Sequence, residues 1–290
     1  MWSRLAKVAG VGTLVTASAV YYRDDLRLLA ASTLAEQSTP FSSNARPKYH
    51  NSSYDDMFPR LQWERDWDFR EPLNLVDQKA YEKANEEERK EMLSKVKAKA
   101  TRHIFLIRHG QYHLDSEERN LTELGREQAK LVGKRLAESD IKFDHLVKST
   151  MCRATETANI IMEQMPELPH KSDSIIEEGA PYPPEPPLSH WKPAARKFAS
   201  DGMRIEAAFR KYIHRAKPTQ ENDSYELIVC HANVIRYFVM RAMQLPPEAW
   251  LRMSLANSSI TWIVVRPNGY VSVRAIGDAG HLPKGKLTFT

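Results

Sequence analysis

The chain has 290 residues, 42 Lys plus Arg against 37 Asp plus Glu, a formal net charge of +5 and 42% hydrophobic residues. That length admits one large α/β domain with accessory segments, and so mild a basic excess, without any DNA- or RNA-binding signature, gives no reason to invoke nucleic acid as a partner. Two cysteines, Cys152 and Cys230, exclude a disulfide framework and suit a reducing compartment; both read as buried small hydrophobes.

Residues 1–30 read as a membrane or targeting segment. Fifteen uncharged residues, Val8 to Tyr22, follow Arg4 and Lys7, and Tyr21 and Tyr22 close the run as interfacial aromatics do. The run is shorter than the ~20 residues of a comfortable span, and a removable secretory signal shares its features. The cysteine-poor body favours a signal anchor or a mitochondrial-type membrane segment. Residues 31–60, rich in Ser, Thr, Asn and Pro, read as a flexible linker.

Residues 61–76 hold Trp63, Trp67 and Phe69 in a stretch too short to build its own core. Two readings stand level: the indoles pack on their own catalytic domain, or they dock onto a second subunit as interface anchors. Residues 77–100 read as a charged connector helix, with Glu86–Lys90 and Glu91–Lys95 at favourable spacing.

His103-Ile104-Phe105-Leu106-Ile107-Arg108-His109-Gly110 is the pivotal stretch. A short apolar run predicts a strand buried on both faces of a parallel sheet, and ligands bind beyond the carboxyl ends of such strands. Arg108 can hold a phosphoryl group bidentately while a ring nitrogen of His109 attacks phosphorus. A helix opens at Thr122 as N-cap, and Leu124, Leu131, Val132 and Leu136 mark its apolar face. A second strand, about Phe143 to Lys148, leads into a helix running towards Met165. Arg153 lies near that helix's N-terminus, where a cation gains nothing from the dipole and an anion does, so it reads as a phosphate clamp.

Glu178 stands in a loop before the proline-dense stretch Pro181 to Pro187, a stiff segment suited to one wall of a substrate groove. Helices are expected around Ala194–Ser200 and Arg204–Arg215. Tyr225 to Cys230 is another buried strand, and His231 follows it just before a helix beginning near Asn233. Strands at about Ser259–Arg266 and Tyr270–Ala275 join through Asn268-Gly269 as a hairpin. The catalytic domain is thus set at 101–277, and residues 278–290 read as a tail without an element of its own. The fold class is α/β: a three-layer α/β/α sandwich with a mostly parallel sheet and a late hairpin.

Arg108-His109-Gly110, Leu121-Thr122 with Gly125 and Gln128-Ala129, Arg153 to Thr157, and Cys230-His231-Ala232 together resemble the histidine phosphatase, or phosphoglycerate mutase-like, superfamily. The Trp63–Leu73 segment, Lys97 to His109, Ser189 to Pro193 and Cys230 to Tyr237 extend the resemblance to its mitochondrial serine/threonine-protein phosphatase branch. The resemblance implies phosphoserine and phosphothreonine hydrolysis on phosphoprotein substrates through a transient phosphohistidine on His109. Arg108, Arg153 and a protonated His231 would spread positive charge around the phosphoryl oxygens. Glu178 would protonate the leaving oxygen and then activate water. No metal or other cofactor is implied. The branch further implies a mitochondrial, membrane-anchored protein, at the outer membrane in preference to the inner. It also implies a homo-oligomer in which dimers join into rings through Trp63 and Trp67, with activation on assembly.

Classical mutases of the family continue the first motif with a small hydroxyl residue and nearby Trp-Asn. Here Gln111-Tyr112-His113 stands instead, and the proline-rich wall suits an open groove, so hydrolysis is preferred to mutase chemistry. Small-molecule phosphatase activity or a membrane-tethered scaffold acting by assembly are the alternatives; a complete catalytic set argues against the scaffold. Some relatives carry an Asn-x-Glu-Ser-Gly-Glu docking motif for a Kelch-domain adaptor. Asn85-Glu86-Glu87-Glu88-Arg89 departs from it.

Overall fold

A computed structural model describes residues 62–289. The expected membrane segment (1–30) and linker (31–60) lie outside the described residues. Among those described, no helix is long and apolar enough to cross a membrane.

Six strands, β1 (Arg102–Arg108), β2 (His145–Lys148), β3 (His170–Ser172), β4 (Ser224–Cys230), β5 (Ile260–Val265) and β6 (Val271–Asp278), form one sheet in the order β3-β2-β4-β1-β5-β6. The first four are parallel, while β5 runs antiparallel to β1 and β6 to β5. The short edge strand β3 has three exposed polar residues and no apolar pattern, so no periodicity marks it. The hairpin turns at Asn268-Gly269 as expected, with Gly269 at φ +83°, but β6 continues to Asp278 rather than ending near Ala275.

Strand β1 is buried along its whole length, and its alternation explains both cores. Ile104 and Leu106 face the helices α6 (Ala195–Tyr212) and α7 (Ala232–Ala242), packing with Ile205, Phe209, Val234 and Phe238. Phe105 and Ile107 face α4 (Glu123–Ala137) and α5 (Cys152–Met162), packing with Val132, Leu136, Ala154 and Ile161. Each such side chain contributes roughly 1.5–3 kcal/mol on full burial, which fixes the strand ends where the site is built. In place of the two helices expected between Ala194 and Arg215, α6 is continuous. Gly202, inside it, lets the proline-rich loop approach: a Cβ there would stand 2.7 Å from the Pro181 carbonyl oxygen.

The connector is broken where a single helix was expected. Short turns at α1 (Pro72–Leu75) and α2 (Gln78–Lys83) precede α3 (Glu86–Val96). The Asn85 side chain accepts from the Glu88 amide and the Glu88 carboxylate accepts from the Asn85 amide, both at 2.9 Å. This reciprocal capping box starts a new helix there, and it gives Asn85 and Glu88 a local structural role.

Both tryptophans pack on this chain's own domain. Trp67 is 4% exposed; its Nε1 donates to the Gly269 carbonyl at 2.9 Å and its ring lies against Phe209. Trp63 is half-buried, edge-on to Tyr270. The segment is locked by Arg215, 1% exposed, whose Nη2 donates to Asp68 at 2.7 Å and to the Arg65 carbonyl at 2.9 Å, and whose Nη1 donates to Glu71 at 3.1 Å. Phe69 alone of the cluster projects outward, 65% exposed at φ +57°, with the Arg210 guanidinium over its ring.

Candidate active site

Strand β1 ends at Arg108 and β4 at Cys230, paired in register, so His109 and His231 leave the sheet side by side. Their ring centroids lie 5.1 Å apart. Both are buried, at 2% and 0% exposure, which is unusual for residues drawn from strand-end loops.

The loop after β1 is held by close backbone packing. A Cβ on Gly110 would meet the Gly125 carbonyl oxygen at 2.5 Å, and one on Gly125 would meet the Gln111 carbonyl oxygen at 1.9 Å. Only glycine at both places lets the first turn of α4 press on this loop. Thr122 caps α4 through the Gly125 amide (2.9 Å) and donates its hydroxyl to Gln111 Oε1 (2.9 Å), while fully buried Gln128 accepts from the Gln111 amide (2.9 Å). The Gly110 amide donates to Thr157 Oγ1 (3.0 Å), tying the loop to α5.

These contacts orient His109. His109 Nδ1 lies 2.8 Å from the Gly110 carbonyl, a pure acceptor, so the proton sits on Nδ1 and the lone pair on Nε2. Arg153 Nε donates to that Nε2 at 3.2 Å. Burial, then Arg108 and Arg153, holds His109 well below the usual histidine range, so the ring is neutral at physiological pH. Arg153 itself stacks over Tyr112, 4.7 Å from the ring centroid. Arg108 donates Nη1 to the Leu255 carbonyl (2.5 Å) and the Phe289 carbonyl (3.2 Å), leaving Nε buried without a partner. Burial pulls its pKa down to about 10, still cationic at neutral pH.

His231 Nε2 lies 2.8 Å from Ser149 Oγ, and its Nδ1 is buried without a partner. Burial, then His109 and nearby arginines, holds it well below the usual range. The arginines Arg153, Arg204 and Arg108 that crowd this ring disfavour a further positive charge on it.

Glu178 is half-buried, with its carboxyl raised above the usual glutamate range by burial, against the opposing pull of the Gly179 amide, Arg153 and Arg108. Its neighbour Glu177 turns aside to Thr150. The Glu178 loop is held from behind by Arg204, which donates to the carbonyls of Ile175 (3.0 Å), Glu177 (2.7 Å) and Glu178 (3.1 Å). Asn233 donates to the Gly179 carbonyl at 2.9 Å. Arg236, one turn along α7, bonds Asn233 at 3.2 Å, forms no ion pair among the described residues, and feels Glu178 electrostatically.

The structure thus gathers Arg108, His109, Arg153, Glu178 and His231, while Trp63 and Trp67 lie apart from them on the α6 and hairpin side. Sequence reasoning missed Gln128, Ser149, Arg204, Asn233, Arg236 and Asn257. A buried Gln inside an apolar helix face was a readable signal for the first; the rest depend on contacts between distant segments. Cys230 is buried and its thiol is pushed up beyond its usual range, as suits an inert hydrophobe. Cys152, expected to be buried, is exposed beside Arg153, with its thiol also raised by partial burial and by Glu156. It lines an open cleft of about 460 Å³ with Asn120, Thr150, Thr155, Glu156 and Asn159. No cluster of three or more metal-binding side chains occurs among the described residues.

A buried neutral histidine flanked by two guanidiniums and a raised carboxyl holds the groups that phosphoryl transfer uses. The chain belongs to the histidine phosphatase superfamily, branch 1, whose family model matches residues 104–277. It is 59% identical, over 89% of its length and 90% of the relative's, to the mitochondrial serine/threonine-protein phosphatase Pgam5 of Caenorhabditis briggsae. It is 55% identical to the human protein of that name, over 78% of this chain and 80% of the other. A solved phosphoglycerate mutase from Plasmodium falciparum matches 66% of this chain and 99% of its own, at 34% identity and a TM-score of 0.46.

Proposed function

We propose that the protein is a mitochondrial serine/threonine-protein phosphatase working through a phosphohistidine on His109. The observation that carries this is the fixed tautomer of His109: Nδ1 bonded to the Gly110 carbonyl and Nε2 turned to Arg153, where a phosphoryl group would sit. Arriving phosphate takes over Arg153 and Arg108, freeing the Nε2 lone pair to attack phosphorus as the P–O bond to serine or threonine breaks. Glu178, whose carboxyl burial raises above the usual glutamate range, is the general acid that gives a proton to the leaving oxygen and then, as base, takes one from the water that cleaves the phosphohistidine. A dianion in the pocket also reverses the repulsion that keeps His231 neutral, so His231 gains a proton as substrate binds.

The relatives named as serine/threonine-protein phosphatases support a phosphoprotein substrate. Rates on a phosphoserine peptide and on 3-phosphoglycerate, measured with the same preparation, test it: hydrolysis of the peptide without mutase turnover is expected. Mutase turnover exceeding hydrolysis would overturn it.

Membrane anchoring through residues 1–30, with the outer membrane preferred, belongs to the same reading and is supported by the uncharged run and the relatives' mitochondrial names. So does a homo-oligomer. Residues 61–76 are proposed as its assembly segment: Trp67 anchors it to its own domain, while half-buried Trp63 and outward Phe69 offer apolar surface to a neighbour.

A further inference from the structure

The stretch after β6 reads as a plain tail, and the family model stops at Gly277. The structure nevertheless sends it back to the nucleophile. Thr288 is bound on three sides. Its carbonyl accepts from the Asn257 amide at 2.9 Å, its hydroxyl donates to Asn257 Oδ1 at 2.9 Å, and the same hydroxyl accepts from Gln128 Nε2 at 2.9 Å. Gln128 Nε2 also donates to the Lys286 carbonyl at 2.7 Å.

Both amide side chains are fully buried, and both reach the nucleophile loop with their other ends. Asn257 Nδ2 donates to the His109 carbonyl at 3.2 Å, and Gln128 Oε1 accepts from the Gln111 amide. A third link is direct: the Phe289 carbonyl takes Arg108 Nη1, so that together with the Leu255 carbonyl it fixes the guanidinium by one nitrogen and leaves Nε open. Buried amides are specified by having all their partners; remove the strap and two of them are left half-satisfied beneath the reacting histidine.

We propose that Thr288 is a positioning residue, and that segment 286–289 is a strap which sets the geometry of His109 and Arg108 through Asn257, Gln128 and the Phe289 carbonyl. The strap touches no phosphate itself. It acts on the rate of phosphoryl transfer to His109, because small displacements of a nucleophile from its attack geometry are costly in rate. The inference rests on the reading of His109 as the nucleophile.

The test uses the full chain with Thr288→Val, which removes both hydroxyl bonds at nearly constant volume, and Thr288→Ser, which keeps them. Phosphopeptide kcat and KM, single-turnover labelling of His109, and the thermal midpoint are measured well below that midpoint. Thr288→Val should lower kcat and the labelling rate about tenfold or more with KM within about twofold, and Thr288→Ser should restore most of the rate. A second variant lacking residues 286–290 should lose at least as much rate as Thr288→Val. Wild-type kcat and labelling in Thr288→Val, or in the shortened chain, would overturn the proposal, as would equal losses in the Val and Ser variants. Loss of labelling on His109→Ala alone would leave the nucleophile assignment standing while the strap fails.

Discussion

Arg153 Nε donates to His109 Nε2 at 3.2 Å, so the lone pair of the proposed nucleophile is held by the cation proposed to clamp the phosphate. The bond does two things. It keeps the ring neutral and aimed, and in the proposed mechanism the donor passes to a phosphoryl oxygen. Lysine cannot do both, since its point charge lacks the planar fork and the stack on Tyr112. Arg153→Lys should therefore lower kcat/KM about 10²-fold and weaken competitive inhibition by phosphate. Wild-type phosphate affinity in that variant would remove Arg153 from the clamp.

Glu178→Gln separates the acid role from the rest of the site. Phosphoserine has a poor leaving group and needs a proton; p-nitrophenyl phosphate does not. The variant should lose about 10²-fold or more on a phosphoserine peptide and far less on p-nitrophenyl phosphate. Equal losses on the two would make Glu178 structural or active only in water attack.

Stability should fall on acidification already above the usual carboxylate range. His109 and His231 are held well below the usual histidine range, and burial beside Arg102 takes His214 down to about 4. Below about pH 6.5 the unfolded chain binds protons that these three do not, so the native state loses ground as pH falls. Each can contribute up to about 1.4 kcal/mol per pH unit of decline. Thermal midpoints measured from pH 7.5 to 5 should drop steadily below about 6.5, and addition of phosphate should flatten the drop by letting His231 take up its proton. A flat midpoint across that range would contradict the burial of neutral histidines.

Trp67 is fastened to its own domain by the Gly269 carbonyl and by Arg215–Asp68, so loss of the indoles frees the whole segment. Trp63→Ala with Trp67→Ala should break a large assembly into small units and lower the turnover number, read by light scattering beside a phosphopeptide assay. Unchanged mass would confine the segment to intramolecular packing; lower mass with unchanged turnover would uncouple assembly from activity.

Much of this site was legible because its groups sit at strand ends. The apolar run Ile104–Ile107 announces β1, and the residues just past it are then fixed in place by topology; the same holds for Cys230 and His231. What escaped the sequence is long-range. Gln128 is marked as a polar residue on an apolar helix face, but its partners Gln111 and Lys286 come from distant segments and are seen only in the fold. Thr288 lies 31 residues from Asn257 in a stretch with no periodicity, so nothing local marks it. The break in the connector was missed because the Glu86–Lys90 and Glu91–Lys95 pairs both lie beyond it and say nothing of where their helix begins, while the capping role of Asn85 needs the Glu88 side chain turned back on it.

The most direct measurement is rapid-quench trapping with a radiolabelled phosphopeptide. Wild-type protein should show a burst of protein-bound phosphate that is acid-labile and base-stable, mapping to His109, and His109→Ala should show none while keeping its fold and losing at least about 10³-fold in turnover. Label that persists in His109→Ala, or that is stable to acid, would contradict the phosphohistidine mechanism.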